Sequence, residues 1–100
     1  ASGESFWEEL PEMAFARWGA AATVASGRLY VVGGDGGGGK CLRSVECFCP
    51  KARTWDSIQL MSCSRDGAAV AALAGKLYVF GGADGTRVLS SAEYLDLNTG

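Results

Sequence analysis

Hydrophobic positions in this chain come in short runs, and each run is closed by residues that turn the backbone. Ala20–Ala25 is a run of small and β-branched residues ending at the turn pair Ser26-Gly27. Arg28–Val32 follows as a buried strand that stops at the doublet Gly33-Gly34. After a glycine-rich loop, Ser44–Cys49 reads as a third strand, Pro50–Arg53 has turn chemistry, and Thr54–Ile58 reads as a fourth strand carrying Trp55. Branched and aromatic residues in runs bounded by Gly, Pro, Asp and Ser favour extended backbone. The second half repeats the order as Ala68–Leu73, Lys76–Phe80 and Ser91–Asp96. No stretch of a dozen residues shows helical spacing between caps.

The repetition is in register. Trp7 recurs as Trp55, Met13 as Met61, Arg17 as Arg65, Gly19 as Gly67, Gly27 as Gly75, Leu29-Tyr30-Val31 as Leu77-Tyr78-Val79, and Gly33-Gly34 as Gly81-Gly82, always 48 residues apart. Beyond the doublets the offset is 47, pairing Leu42 with Leu89, Ser44 with Ser91 and Glu46 with Glu93. The slip falls in the loops Asp35–Cys41 and Ala83–Val88, which tolerate a change of length as packed strands do not. Four short strands in about 48 residues make an antiparallel meander, and a repeat of that length predicts an all-β propeller blade. The expected units are 13–60 and 61–100, the second lacking its outer strand, within one propeller segment spanning 1–100.

The recurring residues resemble the kelch repeat. They are Arg17, Gly27-Arg28-Leu29-Tyr30-Val31-Val32-Gly33-Gly34, Ser44-Val45-Glu46, Phe48, Pro50 and Trp55. In the second copy they are Arg65, Gly67, Gly75-Lys76-Leu77-Tyr78-Val79-Phe80-Gly81-Gly82 and Ser90-Ser91-Ala92-Glu93. The resemblance covers nearly the whole chain and implies two four-stranded antiparallel blades of a kelch-type β-propeller, in an incomplete ring. Cys49 departs from the Asp usual in the family, and Leu95 from the usual aromatic. Trp55-Asp56 does not make the chain a WD40 repeat, since the Gly-His partner is absent.

Residues that recur in register serve the scaffold. The doublets are expected to supply positive φ or close backbone approach, not a phosphate cradle, which needs a following helix. The small residues Ala20–Ala22 and Ala68–Ala69 suit an innermost strand where volume is scarce. Trp7 and Trp55 suit an outer strand, packing across the space between blades. Arg17 and Arg65 read first as structural hydrogen-bond donors, although kelch proteins sometimes use arginines near this point.

Composition narrows the chemistry. There is no histidine, so Ser-His-Asp and Cys-His catalysis and the commonest copper, zinc and haem ligand are excluded. Nine Lys and Arg against eleven Asp and Glu leave no broad basic face for nucleic acid. No apolar run approaches the ~18 residues needed to cross a bilayer. The acidic start, Ala1–Leu10, carries no signal-peptide core, and an intracellular, cytoplasmic protein is the expectation. Cys41, Cys47, Cys49 and Cys63 lack C-x-x-C spacing and read as free thiols. Cys41, between Lys40 and Arg43, has a rival reading as a redox sensor of lowered pKa, with inert thiol preferred. No cofactor or metal is expected.

An up-and-down meander places alternate connections on opposite edges. Ser26-Gly27, Ala74-Gly75 and Pro50–Arg53 then share one edge. Asp35–Cys41, Ala83–Val88 and the stretches Glu12–Trp18 and Leu60–Asp66 share the other, which has the longer and more variable loops. Binding residues concentrate on loops held by a rigid scaffold. The expected partner-binding set is Trp18, Asp35, Lys40, Arg65, Asp66, Asp84, Thr86 and Arg87. The resemblance implies a protein-binding propeller segment. Many kelch-like propellers present substrates to a cullin-type ubiquitin ligase, which requires a BTB domain outside these 100 residues. Alternatives within the family are actin binding, carbohydrate binding, for which Trp18 speaks, and an oxidase or sugar-isomerase site. The copper oxidase type requires histidine ligands that this sequence lacks.

Two blades do not close a ring. The expected order is an outer strand around Phe6–Leu10, then a full unit, then three strands stopping at Asn98-Thr99-Gly100. Faces rich in Tyr30, Tyr78, valine and Phe80 are then left open, to be covered by further blades or by self-assembly.

Overall fold

A computed structural model of the chain describes residues 6–98. It contains seven strands, β1 (Ala21–Ala25), β2 (Arg28–Val32), β3 (Val45–Cys49), β4 (Thr54–Ser57), β5 (Ala69–Leu73), β6 (Lys76–Phe80) and β7 (Ala92–Asp96). There is no helix among the described residues. The strands form two antiparallel meanders, β1-β2-β3-β4 and β5-β6-β7. The β1–β2 and β5–β6 turns are tight because both of their central residues have positive φ: Ser26 at 52° with Gly27 at 74°, and Ala74 at 51° with Gly75 at 76°. That backbone matches the twist of the strands it joins.

Register repeats between the sheets. Tyr30 lies opposite Cys47 and Leu29 opposite Phe48 in the first, as Tyr78 lies opposite Tyr94 and Leu77 opposite Leu95 in the second. The sheets stack with the innermost strands β1 and β5 adjoining, where alanines let backbones approach. The core lies between them. Tyr30, Val32, Val45 and Cys47 come from one side, Leu77 and Val79 from the other, and Met61 is wedged in from the β4–β5 connection. Side chains alternate across a strand, so each sheet gives the shared core only one face.

The glycine doublets have both expected properties. Gly33, Gly34, Gly81 and Gly82 all have positive φ. The Gly34 amide also donates to the Arg65 carbonyl at 2.8 Å, joining the two units. A Cβ on Gly33 would land on that same carbonyl oxygen.

Three expectations need correction. Residues 6–10 form no strand, because a strand needs a ladder partner and the seven strands pair only with one another. Trp7 therefore sits on no outer strand. Trp55 does lie on the outer strand β4, but it packs within its own sheet, against Phe48 at a ring separation of 4.9 Å, and its indole donates to the Pro11 carbonyl at 2.7 Å. Tyr30 is buried by the second sheet, whereas Phe80 and Tyr94 stay open.

Candidate binding face

Each unit is stapled by an arginine reaching across the start of its sheet. Arg17 donates through Nη1 to the carbonyls of Gly33 at 2.8 Å and Ser44 at 3.0 Å, and through Nη2 to Ser44 Oγ and Glu46 Oε2, both at 2.9 Å. Arg65 does the same one unit later. It bonds the carbonyls of Gly81 and Ser91, each at 2.9 Å, and Ser91 Oγ and Glu93 Oε2, each at 3.0 Å. Each carboxylate also accepts from the segment just before its arginine: Glu46 accepts the Ala14 amide at 2.8 Å, and Glu93 the Ser62 amide at 2.9 Å. The sequence carries this signal as an Arg–Glu separation of 29 residues in one unit and 28 in the other. Arg65 is fully buried with its donors taken up by the scaffold, which removes it from the expected partner-binding set.

Burial opposes ionisation of Glu46 and Glu93. The amides of Ala14 and Ser62 and the two guanidinium groups outweigh it, holding both carboxyls below their ordinary value of 4.5. A depressed folded-state pKa gives stability that is complete above pH 4.5 and is lost as pH falls through the lower folded-state values. Urea midpoints should therefore drop as pH is lowered from about 6 to about 3, with a shallower acid limb in Glu46→Gln.

The long-loop edge extends both sheets through isolated bridges. Trp18 pairs with Asp35 and Asp35 with Cys41; one unit later, Asp66 pairs with Ala83 and Ala83 with Val88. The amides and carbonyls of Trp18 and Asp35 bond reciprocally at 2.8 and 2.7 Å, those of Asp66 and Ala83 at 2.8 and 2.9 Å. The Gly67 amide bonds the Gly19 carbonyl at 3.1 Å, tying the two units together at this edge. The backbone thus repeats while the side chains do not: Trp18 answers Asp66, Asp35 answers Ala83, and Cys41 answers Val88.

This edge holds a shallow depression of about 340 Å³, whose wall includes Asp35, Cys41, Asp66, Thr86, Arg87 and Val88. Trp18, paired to Asp35, is 77% exposed. Lys40 lies exposed on the glycine loop, which the Asp35 carboxylate orders by accepting the Gly37 amide at 2.8 Å. Asp84 accepts the Thr86 and Arg87 amides at 3.0 and 2.9 Å and the Thr86 hydroxyl at 2.9 Å. Those bonds, the Thr86 amide foremost, lower its pKa to about 2. The edge therefore presents three carboxylates, Lys40 and Arg87 on loops closed by their own hydrogen bonds.

The thiols sort differently from their sequence neighbours. Burial and the carboxylates of Asp66, Asp35 and Asp84 push the Cys41 thiol up, and Arg43 donates instead to the Met61 carbonyl at 3.0 Å. That environment favours the inert-thiol reading of Cys41 over the redox-sensor one. Cys49 is the thiol lowered from its ordinary value, by the amides of Ala52 and Lys51 and by Arg28, against some burial. The tight β3–β4 turn creates that setting by turning its amides toward the thiol. Among the described residues, no group of three or more Cys, Asp and Glu could hold a metal ion.

Two stacked antiparallel meanders with a shared loop edge define consecutive blades of a β-propeller. The Kelch motif matches residues 16–62 and again 64–100, and the chain belongs to the kelch family. It is similar to the solved structure titled "Structure of YjhT", with 27% identity and a TM-score of 0.62 over 68% of this chain and 21% of that one. The chain thus spans about a fifth of that relative's length. No curated protein matches it. The chain is a two-blade segment of a kelch-type propeller.

Proposed function

We propose that the chain binds a protein partner on its long-loop edge, through Trp18, Asp35, Lys40, Asp66, Asp84, Thr86 and Arg87, without catalysis. The supporting observation is the contrast between repeated backbone and unrepeated side chains at the bridges joining 18 to 35 and 66 to 83. A surface whose geometry is held constant while its chemistry varies is suited to recognition. In the finer form of this reading, the edge is part of the substrate-recognition surface of a cullin-type ubiquitin ligase adaptor in the cytoplasm. Kelch membership and four free thiols support that setting. The exposed Trp18 ring favours carbohydrate as the second reading.

Photo-crosslinkers placed at Thr86 and at Lys51, on the opposite edge, test this directly. Capture of a discrete protein from Thr86 and not from Lys51 is expected. Asp66→Lys and Arg87→Glu should weaken that partner at least tenfold, while Lys51→Glu leaves it unchanged. Equal loss from both edges contradicts the assignment. Retention on a glycan array abolished by Trp18→Ala, with no protein captured, replaces it with the carbohydrate reading.

A further inference from the structure

The chain has five aspartates. Asp35, Asp66 and Asp84, all on the long-loop edge, are each followed by glycine, whereas Asp56 and Asp96 in the strands are not. An Asp-Gly step is open to a reaction of the chain with itself, because glycine puts no side chain in the way of its own amide nitrogen. That nitrogen attacks the aspartyl Cγ. A new N–C bond forms, the Cγ–OH bond breaks, and the amide proton leaves with the hydroxyl as water. The product is a cyclic succinimide. Water then adds and opens the ring on one side of the nitrogen or the other. One opening restores aspartate and the other gives isoaspartate. The electrophile is the carboxylic acid, and the glycine amide must be released to reach it.

The three steps differ in both respects. At Asp66, the Gly67 amide is held by the Gly19 carbonyl at 3.1 Å, in a bond that ties the two units together. The Asp66 carboxylate also packs against Gly19, where an added Cβ would meet Oδ1 at 2.6 Å. Asp84 has the freer glycine amide, since that of Gly85 has no hydrogen-bond partner among the described residues. Its carboxylate is tied down instead. It accepts the Thr86 amide, the Thr86 hydroxyl and the Arg87 amide, which hold its pKa at about 2 and keep it a poor electrophile at neutral pH. Asp35 has neither protection. Among the described residues its carboxylate accepts only the Gly37 amide, at 2.8 Å, in a turn that folds the carboxyl back toward the Gly36 nitrogen. The Gly36 amide bonds the Lys40 carbonyl at 2.8 Å inside the same exposed loop, so its release separates neither the strands nor the blades.

We infer that Asp35-Gly36 is a spontaneous isomerisation site, the fastest of the three, and that its conversion to isoaspartate remodels the long-loop edge. This goes beyond the loop-edge reading and stands without it. The isoaspartyl link routes the main chain through Cγ, which adds a methylene to it and leaves the former carbonyl carbon as a free carboxylate. The Trp18 amide donates to that carbonyl at 2.8 Å, so the bridge between 18 and 35 is the contact that changes.

The test incubates the folded protein at neutral pH in heavy-oxygen water, where each ring opening adds one heavy oxygen. Trypsin, used afterwards in ordinary water, places the three steps on separate peptides, 29–40, 66–76 and 77–87, for mass spectrometry. Peptide 29–40 should gain label several times faster than the other two and split into aspartate and isoaspartate forms on chromatography. In urea the three should label at similar rates, because the fold sets the order. Gly36→Ala should slow peptide 29–40 severalfold, and the nearest atoms its Cβ meets belong to the movable Leu42 side chain, at 3.2 Å. In the isoaspartate form the Trp18 amide should exchange with solvent faster than in the aspartate form. First labelling at Asp66 or Asp84 overturns the inference, as does equal labelling of the three, or none, in the folded protein. So does a Gly36→Ala variant that labels as fast as wild type, or an isoaspartate form whose Trp18 amide exchanges unchanged.

Discussion

Replacing Arg17 by methionine should cost about 3–5 kcal/mol, the cost of stranding one member of a buried ion pair. The Arg17 and Glu46 side chains are each 1% exposed and lie 2.9 Å apart, so a lone Glu46 carboxylate has no water to take the place of the guanidinium. The loss is large against the ~5–15 kcal/mol that holds a domain of this size together. Arg17 also holds the carbonyls of Gly33 and Ser44, so the second strand and the approach to the third loosen together. Urea unfolding at fixed chain concentration reads the effect. The double variant Arg17→Met, Glu46→Met should be less destabilised than Arg17→Met alone, since it leaves no uncompensated charge. Arg65→Met should cost less than Arg17→Met, because the Glu93 side chain is 26% exposed and water partly replaces its partner. Equal losses in the two units would show that the carbonyl contacts, not the stranded charge, dominate.

Gly33→Ala should destabilise the chain by roughly 1–3 kcal/mol more than Gly38→Ala, the usual cost of forcing extra atoms into a packed site. The two glycines have nearly the same backbone, φ 63° and 65°. Each substitution therefore carries the ~1–2 kcal/mol of an L-residue in the left-handed region. They differ in space. Nothing lies within 4 Å of a Cβ on Gly38, whereas one on Gly33 meets the Arg65 carbonyl oxygen. That carbonyl accepts the Gly34 amide at 2.8 Å in the bond joining the blades. Backbone cannot swing aside as a flexible side chain does, so the blades must shift apart. Matched urea midpoints for the two variants would contradict this account.

Much of the architecture was legible in the residues because local chemistry and spacing coincide. Gly27 and Gly75 mark tight turns, and Tyr30 and Tyr78 sit 48 residues apart in strands of equal length. A repeat must fold the same way twice, so its period exposed the meander and the two edges of loops. Arg17 and Arg65 were recognisable as scaffold donors for the same reason. Glu46 and Glu93 recurred visibly too, but their pairing with these arginines did not, because an ion pair bridging 28 or 29 residues is made by the crossing of strands, not by neighbours in the chain.

Other features were decided only by three-dimensional packing. Lys40 and Arg43 flank Cys41 in sequence, yet loops from both blades surround its thiol with Asp35, Asp66 and Asp84. Phe6–Leu10 was expected as an outer strand, yet none of β1–β7 takes it as a ladder partner, and strand pairing is a long-range property. Tyr30 and Tyr78 are equivalent in sequence and unequal in burial, because a second sheet lies over one and not over the other. The sequence of a repeat specifies its own strands and turns through short-range propensity and periodicity. What covers each face, and what charge surrounds each side chain, depends on which unit is stacked beside it, and that is a property of the tertiary structure alone.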